Sequence, residues 1–461
     1  MTQDHILKFL HQEGITTLHD AESLAFYGRD YTTYQQPDPL AIAFPTTNEQ
    51  VQAIVQLARQ HKIALVPSGG RTGLSGGAVA AHGELVVSFT RMNKILSYDA
   101  TDQMVHCQAG VVMAHLQDFA REHSMFYPVD YASSGSAQIG GSVATNGGGI
   151  KVMRYGMTRN WVAGLTVVTG QGELLRLNQG LTKNATGYDL RHLFTGSEGT
   201  LGLITEVMAK LTHPPKPTRV MLLGIQHFAD IVKVLAVCKH ILDLTAFEFF
   251  CKTSLEKVTR HHGLQKPFDT ITAYYALIAF DCADETQETS ALSCFETCMQ
   301  EGWVQDGVIS TSETQAESLW QLREQISETI AQDTPYKNDI SVRVSCLPDF
   351  IAEIEEMVTT HYPAFQLIWF GHIGDGNMHL NLLKPANWSK EDFAASCHQL
   401  THHVYQLVQK YQGSISAEHG IGSVKKTFLN YSRTKQEITL MQQIKQVFDP
   451  DGIMNPGKIF V

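Results

Sequence analysis

Apolar residues recur at helical spacing over residues 4–12 and stop near Gly14, before a Pro/Asp linker at residues 35–39. Thr46 and Thr47 follow, with Glu49 and Gln50 each three residues on. That capping pattern opens an amphipathic run through Val51, Ile54, Val55 and Ala58. Residues 63–66 predict a short strand, and residues 165–177 alternate around a Gly-Gln-Gly turn as a hairpin does. Pro214-Pro-Lys-Pro217 is a stiff joint. Beyond it, strand-like stretches (219–225, 246–250, 272–280, 339–345) interleave with helix-like ones (228–242, 286–300, 312–332, 348–361). This predicts an antiparallel sheet with helices on one face. Two apolar strands, 365–370 and 378–383, are joined through Gly374-Asp-Gly-Asn377, and a last helix is predicted over 434–448.

Bulk properties narrow the class without naming it. A chain of 461 residues implies two or three domains with full-sized cores. A net charge of -11 argues against nucleic acid as the main partner, though a local cationic pocket can still take an anion. No run of 18 apolar residues appears, so no membrane span is predicted. The start, MTQDHILKFLHQEG, lacks the apolar core of a secretory signal. The eight cysteines are scattered without a C-x-x-C pair, which predicts reduced thiols and the cytoplasm as default compartment, with a peripheral membrane location as the alternative.

Three glycine-rich segments stand out. The strand at 63–66 runs into PSGGRTGLSGG (residues 67–77); SSGSAQIGGSVATNGGGI (133–150) and GSEGTLGLIT (196–205) follow. Glycine lets backbone approach a ligand closely, and successive exposed N–H groups can form an anion-binding nest. Neither the G-x-G-x-x-G nor the P-loop pattern fits. Glycine-rich turns between strands are common, but three such crossings suit a long ligand with a diphosphate in its middle.

The second half carries the ionisable chemistry. WFGHIGDGNMHLN puts His372 and His379 on either side of a tight turn, and SAEHGIG supplies an adjacent acid and base, Glu418 and His419. Two imidazoles and one carboxylate leave a coordination position open on a divalent metal. The N/O donor set suits Zn²⁺, Mn²⁺ or a similar ion without choosing among them. Arg323 and Ser327 lie four apart on a predicted helix, and Lys337 follows Pro335. Converging, they would bind a carboxylate; otherwise they are a solvated flank paired with Glu317, Glu324 or Glu328.

The order PSGGRTGLSGG, IGGSVATNGGG, RYG, NATGYDL and GSEGTLGLIT resembles the FAD-binding domain of the vanillyl-alcohol oxidase/p-cresol methylhydroxylase superfamily. LREQIS, YKNDIS, GHIGDGNMHLN, SAEHGIG and DPDGIMNPGKIF resemble its FAD-linked D-2-hydroxyacid dehydrogenases. The resemblance implies an α+β fold with a two-part FAD-binding domain of the p-cresol methylhydroxylase type (1–213). An antiparallel, ferredoxin-like substrate-binding cap (218–425) would follow, and a C-terminal segment (426–461) would return its helix to the FAD domain. Pro67, Ser68, Gly69, Gly70, Arg71, Thr72, Gly73, Leu74 and Ser75 would cradle the pyrophosphate. Ile139, Gly140, Gly141, Thr145, Asn146 and Gly148 would line the flavin. Glu198, Gly199, Gly202 and Ile204 are implied as further cofactor contacts, and Asn455 and Lys458 as residues returning to it. Residues 67–77 contain no histidine, which implies non-covalent FAD.

The same likeness makes His372, His379 and Glu418 metal ligands and His419 the catalytic base. Arg323, Ser327, Lys337, Asn381 and His419 become substrate contacts, Ser327 standing where relatives often carry threonine. The implied reaction takes a small anionic D-2-hydroxy acid to its 2-oxo acid, D-2-hydroxyglutarate first, with D-lactate or glycolate as alternatives. A quinone or an electron-transfer flavoprotein would accept the electrons, and a homodimer is one expected assembly. Two rival readings are a metal hydrolase, which leaves the glycine segments unexplained, and a non-catalytic flavin- or metal-binding subunit.

Overall fold

In the computed structural model, which describes residues 3–461, the helix Asn48–His61 starts at Thr47, whose hydroxyl accepts the Gln50 N–H at 3.3 Å. Gln50 Oε1 in turn accepts the Thr46 N–H at 2.8 Å. Only half of the predicted box therefore forms: Thr47 caps Gln50, but Gln50 returns to the N–H of Thr46 and not to that of Thr47. The helix packs over two sheets. One is four-stranded, in the order Thr16–Leu18, Ala41–Phe44, Leu85–Ser88, Leu65–Ser68, antiparallel at the first pair and parallel after it. The other is antiparallel and five-stranded: Ile95–Asp99, Met104–Gln108, Gly202–Lys210, Val162–Thr169, Leu174–Leu177. The last two strands are the predicted hairpin, with Leu165 opposite Leu177. A single core of Ala41, Leu65, Leu85, Val105, Leu165 and Val207 covers both sheets and the face of Asn48–His61 that carries Val51, Ile54 and Val55.

These sheets belong to one of two units. It comprises the chain up to Gly149, Tyr155–Pro214 and Glu418–Val461; the other comprises Ile150–Arg154 and Pro215–Ala417. The helix Lys435–Phe448 belongs to the first unit, where Lys445 Nζ donates to the Thr200 carbonyl at 2.8 Å and Phe448 meets Phe194 edge-on. The return of the C-terminal helix is thus seen.

The second unit is built on an antiparallel seven-stranded sheet. Its order is Asp306–Ile309, Thr218–Ile225, Tyr274–Asp281, Leu244–Cys251, Gln366–His372, Asn377–Leu383, Pro335–Ser341. Helices cover both of its faces, not one. Phe250 and Ala246 pack with Leu255, Val258, Leu319 and Leu322 on one side. Phe249, which points the other way, meets Phe228 of helix Phe228–Ile241 at 5.3 Å between ring centres. A strand such as Leu244–Cys251, buried at every position, needs cover on both sides.

Two further expectations change. The single helix over 312–332 is three pieces: Glu313–Glu324, Ile326–Thr329 and a 3-10 turn at Ile330–Asp333. The strand expected from 339 begins at Pro335 and ends at Ser341, because pairing with Asn377–Leu383 sets its extent. All eight cysteines are free thiols. Among the described residues no helix is long and apolar enough to cross a membrane.

Candidate active site

Side chains directly opposite each other on neighbouring antiparallel strands share a face. In the second unit that rule assembles three rows. Ser341, Asn377, His372 and Glu248 form the first, and Asp339, His379, Phe370 and Phe250 the second. Lys337, Asn381 and Ile368 form the third. Strand alternation keeps all three rows on one face, so a polar patch sits on the sheet beside the apolar cluster of Phe250, Phe370 and Ile368.

Within this patch each imidazole has a carboxylate on its Nδ1 side. Glu248 Oε1 is 2.7 Å from His372 Nδ1, and Asp339 Oδ1 is 3.9 Å from His379 Nδ1. The two Nε2 atoms meet at 3.4 Å. Both carboxylates are buried, at 1% exposure each. Burial alone would push the Glu248 carboxyl up, but the charges of His372 and Arg323, with the His372 hydrogen bond, outweigh it and hold the carboxyl below its usual value. Asp339 also accepts from Asn377 Nδ2 at 2.9 Å on Oδ1 and from the Ala417 N–H at 3.1 Å on Oδ2. Glu418 and His419 are the next residues of the chain.

Arg323 is buried, which overturns the solvated-flank reading: it pairs with Glu248 rather than with Glu317, Glu324 or Glu328. Its Nη2 lies 2.8 Å from Glu248 Oε2, an ion pair off the line of a straight hydrogen bond, and its Nε has no partner. Its guanidinium stacks 4.7 Å over Phe370, whose ring also lies 5.0 Å from that of His379. Lys337 Nζ donates to Ser327 Oγ at 3.2 Å, and although Lys337 is exposed, the protein around it disfavours its ammonium and lowers its pKa. Asn381 is buried, with Nδ2 on the His379 carbonyl at 3.2 Å. Glu248 and Asp339 are the residues that reading the sequence for function passed over. Their signal was present: a single carboxylate inside the apolar run of strand Leu244–Cys251, and another inside Pro335–Ser341.

In the first unit the strand Leu65–Ser68 delivers the loop 69–77. Arg71 has φ +59° and lays its guanidinium on Phe26 and Tyr27, at 4.2 and 4.8 Å. Several glycines here have packing reasons. A Cβ on Gly70 would stand 2.0 Å from the Ser136 carbonyl oxygen, and one on Gly140 2.6 Å from Ala109 Cβ. One on Gly202 would stand 2.6 Å from the Val168 carbonyl oxygen, within the strand pairing. Gly141 is different: nothing lies within 4 Å of where its Cβ would be. Ile204 is buried in its strand, and Asn146 is the left-handed C-cap of Ile139–Thr145, where Thr145 Oγ1 donates back to the Gly141 carbonyl at 3.1 Å.

Glu198 is buried and holds backbone N–H groups. Its two oxygens accept the N–H groups of Ile421 and Gly422, each at 2.7 Å, and so hold the strip that begins with Glu418 and His419. Burial raises its pKa against those two hydrogen bonds. Glu418 Oε1 accepts the Gly149 N–H at 3.0 Å. Asn455, fully buried, donates to the carbonyls of Gly77 and Glu198 at 2.9 and 2.7 Å, and Lys458 Nζ donates to Val79 at 2.9 Å. The tail thus fastens the end of the glycine loop.

A glycine-loop unit and an antiparallel cap bearing a histidine–carboxylate patch define a two-part flavin-binding oxidoreductase. Residues 39–178 match the family "FAD binding domain", and residues 214–459 match "FAD linked oxidases, C-terminal domain". The chain is 55% identical over 454 residues to a D-2-hydroxyglutarate dehydrogenase of Stutzerimonas stutzeri (strain A1501), covering 98% of each. It is 52% identical over 463 residues to one of Xanthomonas citri pv. viticola, covering 100% of this chain and 98% of the relative. Among solved structures it is similar to p-cresol methylhydroxylase with substrate bound, at a TM-score of 0.78 and 16% identity over 100% of this chain and 98% of that one, a likeness of fold. The chain belongs to the FAD-linked oxidase family and is an FAD-dependent dehydrogenase. The hydrolase and non-catalytic readings give way to this.

Proposed function

We propose that this protein oxidises D-2-hydroxyglutarate to the 2-oxo acid, with D-lactate or glycolate as the alternative substrates. The observation that carries the reading is the buried Arg323, with an unpartnered Nε, beside two imidazoles whose Nε2 atoms converge. The relatives named above, D-2-hydroxyglutarate dehydrogenases at 52% and 55% identity, support the choice of substrate.

FAD would be held non-covalently by residues 67–75, by Ile139, Gly140, Gly141, Thr145, Asn146 and Gly148, by Glu198, Gly199, Gly202 and Ile204, and by Asn455 and Lys458. A divalent cation, Zn²⁺ or Mn²⁺, would be held by His372, His379 and Glu418. The residues fit such an ion. His372 Nδ1 turns to Glu248 at 2.7 Å, which leaves its Nε2 as an acceptor facing the His379 Nε2 at 3.4 Å. Two ligands about 2.1 Å from a tetrahedral ion stand about 3.4 Å apart. Bound FAD supplies a two-electron acceptor, and a bound cation supplies Lewis acidity.

The chain's own groups do the rest. His419 takes the proton from the C2 hydroxyl as general base. Arg323 and Lys337 neutralise a carboxylate of the substrate, and Ser327 and Asn381 add hydrogen bonds. The electrons leave to a quinone or an electron-transfer flavoprotein.

Anaerobic mixing of the purified holoenzyme with D- and L-2-hydroxy acids tests this. D-2-hydroxyglutarate should bleach the visible flavin absorbance fastest. His419→Asn should slow bleaching by roughly 10²–10⁴-fold with FAD content unchanged. Equal bleaching by parent and variant removes His419 from the role of base, and no bleaching by any member of the panel removes the substrate class.

A further inference from the structure

A carboxylate buried between Phe247 and Phe249 in a central strand needs a reason, since an apolar residue there would pack at lower cost. The same holds for Asp339, buried beside Ile340. Each is the cross-strand partner of a histidine, Glu248 of His372 and Asp339 of His379. Each also holds a second group. Glu248 pairs with Arg323, and Asp339 accepts the backbone N–H of Ala417, immediately before Glu418.

We infer that Glu248 and Asp339 are the positioning residues of the centre: Glu248 holds the His372 ring through Nδ1 and ties it to Arg323, while Asp339, 3.9 Å behind His379 Nδ1, orients that ring by its charge and ties it through its other oxygen to the strip leading to Glu418. The inference rests on the reading of His372, His379 and Glu418 as cation ligands. Its physical basis is general. A carboxylate on the Nδ1 side of a ligating histidine sets the tautomer, holds the ring plane and makes Nε2 a better donor to a cation. The arrangement also explains why two carboxylates sit beside the ligands without either belonging to the expected set of three.

The test is cation affinity. Parent, Glu248→Gln, Glu248→Ala and Asp339→Asn are dialysed against chelator with FAD retained. Each is then titrated with Zn²⁺ against a chromophoric competitor. Outer partners of ligating histidines are worth roughly 10–100-fold in affinity. Glu248→Gln keeps an acceptor and the shape, so its Kd should rise roughly tenfold, and Glu248→Ala should approach a hundredfold. Asp339→Asn tests the other imidazole independently, at roughly tenfold. Rescue of part of the loss by Gln over Ala, and a shifted visible spectrum of the Co²⁺-loaded variants at unchanged FAD content, would distinguish orientation from general loosening. Folded variants with the parent's Kd and the parent's Co²⁺ spectrum overturn the inference alone. A parent that takes up no divalent cation overturns the ligand reading, and this one with it.

Discussion

His372 and His379, seven residues apart across a tight turn, bring their Nε2 atoms to 3.4 Å while their Nδ1 atoms face two different buried carboxylates. A strong chelator should therefore abolish substrate oxidation while leaving the flavin spectrum intact, and added Zn²⁺ or Mn²⁺ should restore it. His379→Ala should lower turnover on the order of a thousandfold, since a Lewis acid supplies several kcal/mol at the transition state. Turnover that ignores both treatments takes the cation out of the reaction.

Arg323 has two separable duties. Its charge balances the buried Glu248 carboxylate, and its planar face lies on Phe370. Arg323→Ala strands a buried carboxylate and should cost about 3 kcal/mol of stability, read by chemical denaturation. Arg323→Lys keeps the charge but loses the fork and the stack, so KM for D-2-hydroxyglutarate should rise roughly tenfold or more with a smaller loss of stability. A KM equal to the parent's would place the substrate carboxylate elsewhere.

Gly70 and Gly141 should respond to alanine in opposite ways. At Gly70 the new methyl meets the Ser136 carbonyl oxygen, so the backbone must move and both stability and flavin content should fall, by about 1–3 kcal/mol for the former. At Gly141 the methyl meets no protein atom, so the FAD-free protein should keep its Tm. If the flavin lies against this position, FAD retention in Gly141→Ala should drop all the same. Full retention there would move the cofactor away from this glycine.

Glu206 offers a pH test remote from the chemistry. His106 lies 3.2 Å from its carboxylate, and Thr166 and Asn48 each donate to it at 2.8 Å; led by the His106 hydrogen bond, these contacts hold the carboxyl down to about 2. A depressed folded-state pKa adds stability that is complete above the unfolded value, about 4.3, and fades as pH falls toward 2. Glu206→Gln should therefore be less stable at pH 7, by about 1–2 kcal/mol once solvent screening is allowed for. The gap between parent and variant should narrow through pH 4 to 2. A gap that stays constant over that range would assign it to packing.

What could be read without coordinates was what short stretches of chain determine. The cap at Thr47 was visible because a hydroxyl and a glutamine three residues apart satisfy orphan N–H groups locally. The strands Gln366–His372 and Asn377–Leu383 were visible because an apolar run broken by Gly-Asp-Gly-Asn can only turn back on itself. Motif order did the same for the family. The extent of Pro335–Ser341 and the break at Gln325 escaped, because strand pairing and packing overrode the local pattern there.

By itself, then, the sequence determined the two-part flavin architecture, the histidines flanking one turn and the acid–base pair that begins 39 residues after His379. Only the tertiary structure decided who stands behind those histidines. Glu248 lies 124 positions from His372, and Arg323 reaches the same carboxylate from a helix. A cross-strand partner is chosen by the order and register of strands in the sheet, and those are set by the burial of whole faces far apart in the chain, which no local spacing records.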